Sequence, residues 1–292
     1  LAGLIDKKRL PATVRYALRA ILNYVQRLGR WLVILWQVRG VGWRDEWALI
    51  RSALAAPVIS LRDPGRWQDP ILLADAQVRV RGVGRFALRA RSDDLYHVLP
   101  WRERRLVEFA DRFLQPGDVF VDAGANIGFF SIQAGHLVGE TGRVIAFEMM
   151  TENAARLAMN AGLNKLRNIT LHQCALSESD KQHVRGTMSV GKFGQASITR
   201  EAGPADLVME VETISLDTAL DGIETVRLLK MDIEGAEELA VRGALTALQR
   251  TECIIYERRP ALVDGDPVGA LLTMAGFSVR QLDRANMIAE KA

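Results

Sequence analysis

The residues closest to chemistry in this sequence are a glycine turn and two strand-end carboxylates. Residues 119 to 128 read Val-Phe-Val-Asp-Ala-Gly-Ala-Asn-Ile-Gly: an apolar strand reaching Asp122, a turn carrying Gly124 and Gly128, then helical periodicity. Glycines let a ligand approach the backbone, and the helix start offers unpaired N–H groups. Residues 143 to 148, Arg-Val-Ile-Ala-Phe-Glu, end a second strand on Glu148, 20 positions past Gly128. Open α/β folds place the acceptor of a ribose hydroxyl pair at that distance. Asn126 stands where a dinucleotide loop has its second glycine, which hinders a pyrophosphate. A cofactor without phosphates, S-adenosylmethionine, suits the turn better: its ribose would meet Glu148, and its amino-acid end the loop amides and Asp122. The plainer alternative is a pair of strand-end carboxylates facing solvent.

The elements that must position these groups alternate regularly. Strands are expected at 119–122, 143–147, 169–174, 226–231 and 252–257, with helical runs after residues 127, 152, 237 and 267. Such alternation implies a mostly parallel sheet covered on both faces. A hairpin at 77–81 and 85–90 and a helix near 103–114 precede it, and Asp63-Pro64-Gly65 and Asp69-Pro70 mark a boundary. Between 180 and 225 the rhythm breaks into an inserted hairpin region, 184–190 and 207–214, of the kind that shapes a substrate pocket. The chain thus divides into a helical N-terminal extension, residues 1–70, and a catalytic domain, residues 71–292.

Several spaced motifs together resemble the FkbM family of methyltransferases: Asp122-Ala123-Gly124-Ala125-Asn126-Ile127-Gly128, Phe147-Glu148, Asn160 with Leu163-Asn164, and Leu229-Lys230-Met231-Asp232-Ile233-Glu234-Gly235-Ala236-Glu237. Met149 departs from the family's usual proline. The resemblance covers about residues 75–290. It implies a class I, Rossmann-like fold with a seven-stranded sheet, six strands parallel and the last antiparallel, in which 277–282 and 286–290 are the final pair. It also implies S-adenosylmethionine as cofactor, with Asp122, Gly124, Asn126, Gly128, Glu148 and the Cys174-Ala175 backbone around it. The expected activity is O-methylation of a hydroxyl on a saccharide or secondary metabolite.

Methyl transfer asks the protein to align an oxygen nucleophile and remove its proton. Asp232, at the carboxyl end of the fourth strand, is the leading base, with Lys230 on the same strand face as a partner. Glu234 and Glu237 are further catalytic candidates, although acids at a helix start also arise from capping and the helix dipole. Glu257 ends the fifth strand and is a candidate substrate ligand, or else a surface partner of Arg258 or Arg259. No metal is expected.

Composition bounds the rest. With 292 residues, 49% hydrophobic and 25% charged, the chain is globular. Two cysteines, Cys174 and Cys253, lie in apolar runs and suggest a reducing, cytoplasmic setting. Residues 1–60 hold ten Lys or Arg against three Asp or Glu, with Trp31, Trp36, Trp43 and Trp47. This segment is expected to pack its apolar stripe on the catalytic domain or a partner subunit; the alternative is a peripheral membrane contact. No transmembrane span or signal peptide is indicated. Competing classes are a dinucleotide-dependent oxidoreductase, disfavoured by Asn126 and the lack of a Tyr-x-x-x-Lys pair, and a non-catalytic binding module. Nucleic acid is disfavoured as partner because the basic residues concentrate outside the catalytic domain.

Overall fold

The computed structural model describes residues 12–62, 70–189, 193–204, 206–258 and 265–291. The turn at Asp63-Pro64-Gly65, Asp69, Val190 and Arg259 lie outside them.

The N-terminal segment forms α1 (Ala12–Gln37), β1 (Val38–Gly40) and α2 (Trp43–Arg62). β1 pairs antiparallel with β2 (Ala76–Val80), which pairs antiparallel with β3 (Gly84–Leu88). The anticipated hairpin is therefore a three-stranded sheet, its third strand supplied from before residue 70. Two acids in the first turn of α2 fix that corner. Glu46 accepts from the Gly40 N–H at 2.6 Å, and Asp45 accepts from the Gln77 N–H at 2.9 Å. Trp31, Ile34, Val38 and Leu49 are buried in one cluster with Phe86, Phe129 and Phe120, so the extension and the catalytic domain share a core.

Next come α3 (Asp94–His97) and α4 (Arg104–Phe113), then β4 (Val119–Ala123), α5 (Phe129–Val138), β5 (Arg143–Phe147), α6 (Thr151–Leu163) and β6 (Ile169–His172). The inserted region is β7 (Ala175–Leu176), β8 (His183–Ser189) and β9 (Asp206–Ile214), with β8 and β9 antiparallel. The chain closes with α7 (Leu216–Ala219), β10 (Val226–Met231), α8 (Glu237–Arg242), α9 (Leu245–Gln249), β11 (Thr251–Glu257), α10 (Pro267–Met274), β12 (Phe277–Gln281) and β13 (Asn286–Lys291).

The seven-stranded sheet has the order β12-β13-β11-β10-β4-β5-β6. Strands β4, β5, β6, β10 and β11 pair in parallel, and β13 is antiparallel to both β11 and β12. This is the class I methyltransferase fold. Period-two alternation splits its core: Leu228, Cys253 and Ile255 face one cluster, Leu229, Ile254 and Tyr256 the other. Strand order reverses between β4 and β10, which opens a crevice at their carboxyl ends. Asn160 of α6 braces it, accepting from the Ala87 N–H and donating to the Ile127 carbonyl, each at 2.8 Å.

Candidate active site

The glycine turn sits at that crevice. Gly124 takes a φ of 77°, Asn126 50° and Gly128 92°, left-handed values that bend the chain sharply out of β4. The N–H groups of Gly124 and Ala125 both donate to the Phe147 carbonyl, at 3.0 and 2.9 Å, tying the turn to the end of β5. A Cβ on Gly124 would stand 1.8 Å from the Asp232 carbonyl oxygen, so the turn and the end of β10 touch through bare backbone.

Glu148 lies beside this turn and is buried. Its Oε2 accepts from the Asn126 N–H at 2.7 Å and its Oε1 from the Met150 N–H at 2.8 Å. Each carboxylate oxygen thus keeps a further lone pair for a ligand hydroxyl. Burial pushes the carboxyl up to about 7, opposed by the two amides and by the charge of Lys230.

Beneath the turn lies a buried ion pair. Lys230 Nζ is 3.2 Å from Asp122 Oδ1 and donates to the Gly124 carbonyl at 3.0 Å, and Ser131 Oγ donates to Asp122 Oδ2 at 2.6 Å. Burial alone would lower the Lys230 ammonium, but the carboxylates of Asp122, Asp232 and Glu103 hold it above its ordinary value. The strand register explains the pairing, since Lys230 lies directly opposite Asp122. Lys230 is therefore bound to Asp122, and not to Asp232 as strand alternation alone suggested.

The cleft encloses about 570 Å³ and is lined by Gly124, Asn126, Glu148, Cys174, Ala175, Lys230, Asp232, Glu234 and Glu257 among the anticipated residues. That volume falls within the range of small-molecule and cofactor sites. Three other anticipated residues lie outside its wall. Asp122 is fully buried and pairs with Lys230; Gly128 packs against Leu157. Glu237 is buried, and its Oε1 accepts from the N–H groups of Ile233 at 2.9 Å and Gly235 at 3.2 Å. It holds the loop that carries Asp232 and Glu234. The Cys174 thiol is pushed up to about 11, mainly by burial, which leaves it un-ionised at neutral pH.

Further lining comes from residues that sequence reasoning did not name: His97, Trp101, Arg102, Glu103, Phe193 and Arg284. Arg102 bonds His97 Nδ1 and Glu103, while His97 Nε2 lies 3.2 Å from Asp93. Burial raises Glu103 even beside Arg102. Glu257 rises to about 8, first through burial and then through the charges of Asp232, Glu234, Glu237 and Glu103. Asp232 is half-buried, and its carboxylate has no hydrogen-bond or ion-pair partner among the described residues. Among those residues no group of three His, Cys, Asp or Glu is arranged to hold a metal ion.

The residues present fit S-adenosylmethionine: a glycine turn in a left-handed conformation, a buried carboxylate and the Cys174-Ala175 segment all line the cleft. Comparison with known proteins agrees. The Methyltransferase FkbM domain profile matches residues 122–279. The 31-O-demethyl-FK506 methyltransferase FkbM of Streptomyces tacrolimicus is 32% identical over 200 residues, which cover 57% of this chain and 75% of that protein. Methyltransferase 1 of Beauveria bassiana is 27% identical over 148 residues, 44% of this chain, and the chain spans 59% of its length. Among solved structures, the S-adenosylmethionine-dependent O-methyltransferase of Thermotoga maritima is similar at a TM-score of 0.43 and 14% identity, over 74% of this chain and 77% of that one. Aeropyrum pernix fibrillarin with natively bound S-adenosyl-L-methionine is similar at 0.40 and 11%, over 74% and 93%. By the domain match and the Streptomyces relative, this chain belongs to the FkbM family of S-adenosylmethionine-dependent methyltransferases.

Proposed function

We propose that the chain methylates a hydroxyl oxygen of a polar small molecule, a saccharide or a secondary metabolite. The observation that carries this reading is Asp232: a half-buried carboxylate in the cleft wall with no side-chain hydrogen bond among the described residues, close enough to act on the charges of Lys230 and Arg102, and with its backbone against the glycine turn. A hydroxyl must lose its proton as it attacks, and a carboxylate at that point whose oxygens are not taken up by hydrogen bonds can accept it. The Streptomyces relative's name gives an O-methylation, which supports oxygen as the acceptor atom.

When bound, S-adenosylmethionine supplies a methyl group activated by its sulfonium. The protein's residues do the rest. Glu148 would hold the ribose hydroxyls, and the Gly124–Asn126 backbone would receive the amino-acid end. Lys230 fixes that backbone through the Gly124 carbonyl and brings positive charge to the cleft wall. Cys174 and Ala175 would lie beside the adenine. Glu257, protonated below about 8, donates a hydrogen bond to an acceptor oxygen, and Glu237 acts indirectly by holding the Asp232 loop.

The test is transfer of labelled methyl from S-adenosylmethionine into glycan and hydroxylated-metabolite fractions, with the methylated position mapped by mass spectrometry. Label in an ether, lost in Asp232→Asn, is the expected result. Label confined to nitrogen, or turnover unaffected in Asp232→Asn, would overturn the assignment.

A further inference from the structure

Helix α1 is apolar on two faces. Trp31 and Ile34 are buried where it meets the core, whereas Val25, Leu28, Leu32 and Trp36, at three- and four-residue spacing, form an outward stripe, with Leu32 70% and Trp36 63% exposed. Helix α2 repeats the arrangement. Ala48, Leu49 and Ala53 are buried, while Trp43, Trp47 and Leu54 are 76%, 55% and 68% exposed. One apolar stripe suffices to seat a helix, and both inner stripes enter the same core. The outer ones have no such role. Exposed apolar surface gathered in this way marks an interaction face.

Charge says what the face meets. Arg44 lies over the Trp43 ring at 5.3 Å and Arg81 over the Trp36 ring at 4.8 Å, and Arg51 is exposed between Trp47 and Leu54. The acids of this region are turned to structural use: Asp45 caps the Gly42 and Gln77 N–H groups, and Glu46 holds Arg39 and Gly40. Indole rings with guanidinium groups beside them match the headgroup layer of an anionic bilayer, where the rings enter the acyl boundary and arginines meet phosphate. A second copy docked across a two-fold axis would set this basic face against itself. No helix among the described residues is long and apolar enough to cross a membrane. We propose that the outer face of α1 and α2 docks this enzyme on an anionic lipid surface, lying in the interface.

Flotation of the full chain with vesicles of phosphatidylcholine, with and without phosphatidylglycerol, tests this. The chain should float with the anionic vesicles at low salt, less at high salt, with a blue shift of tryptophan emission. The triple variant Trp36→Ser, Trp43→Ser, Trp47→Ser should keep its thermal transition and cofactor binding but lose flotation by about tenfold or more. The charge reversals Arg44→Glu and Arg51→Glu, both at exposed positions, should also weaken it should the tryptophan variant fail to fold. Wild-type protein that stays in solution with both vesicles, or variants that float equally well, would overturn the proposal. So would a dimer in sedimentation that the tryptophan changes split while vesicles are ignored; that result would assign the face to a second copy.

Discussion

The two walls of the cleft are built by opposite means. The side that we assign to the cofactor is largely backbone: a glycine turn and two strand ends, with a carboxylate whose oxygens already hold backbone amides. The side that we assign to the acceptor is made of side chains, His97, Arg102, Glu103, Phe193, Glu257 and Arg284, drawn from separate segments; Arg102 pairs with Glu103, while the neighbouring acids oppose the charge of Glu257. The backbone wall follows from the family's shared fold, while the side-chain wall can vary without disturbing it. One fold can therefore keep one methyl donor and change its acceptors.

Substitutions on the two walls should accordingly fail in different ways. Gly124→Val should have the largest effect. Its positive φ alone costs about 1–3 kcal/mol for a side chain, and the collision with the Asp232 carbonyl adds to that. Thermal denaturation should show a destabilised protein, and calorimetry no cofactor binding. Retained binding would mean that the turn is less rigid than its contacts imply. Asp232→Asn comes next: turnover should fall by about two to four orders of magnitude through the loss of proton acceptance, while cofactor affinity holds, since Lys230 keeps its ion pair with Asp122. Loss of affinity instead would move Asp232 to the cofactor wall.

Glu148→Ala should weaken S-adenosylmethionine by about 1.5–3 kcal/mol, the value of charge-assisted bonds to a ribose. In the wild type, the pH dependence has two opposite signs. Because burial lifts Glu148 from 4.5 to about 7, the folded protein binds this proton more tightly than the unfolded chain. Its contribution to stability is thus fully present at low pH and is lost as pH rises through about 7. Cofactor binding, which needs the ion, should strengthen over the upper part of the same window, and titration near pH 6 should release a proton to the buffer. The smallest effect belongs to Glu257→Gln. At pH 7 the amide resembles the protonated acid, so turnover should stay within about threefold of wild type, about 0.65 kcal/mol. The variant should diverge only above about pH 8, where the wild-type carboxyl ionises. A large loss at pH 7 would show that the charged form binds the acceptor.

The same division explains what the sequence made legible. Gly124, Asn126 and Glu148 belong to one strand–turn–helix–strand unit, and their spacing survives folding, so local pattern identified them. Asp232 was accessible for the same reason, at the tip of a recognisable strand. Arg102 and Glu103 resemble ordinary residues at the start of α4, and Arg284 an ordinary turn residue; only the tertiary fold brings them to one cleft. Lys230 shows the limit most clearly. Alternation within β10 set it beside Asp232, but its partner is fixed by the neighbouring strand, and strand order is not a local property. Glu237 was ambiguous between capping and catalysis until its two backbone donors, Ile233 and Gly235, were in view.

The Lys230–Asp122 pair has a consequence for how the chain finds its fold. β4 and β10 are separated by about a hundred residues, and most of their side chains are interchangeable aliphatic groups that would pack in several alignments. Only one alignment sets the ammonium against the carboxylate. A slip by a single residue turns one of them to the other face and leaves a buried charge alone, a penalty of about 3–5 kcal/mol. The pair therefore acts as a proofreading mark in the interior, admitting the central strands of the sheet in one register and rejecting its near neighbours.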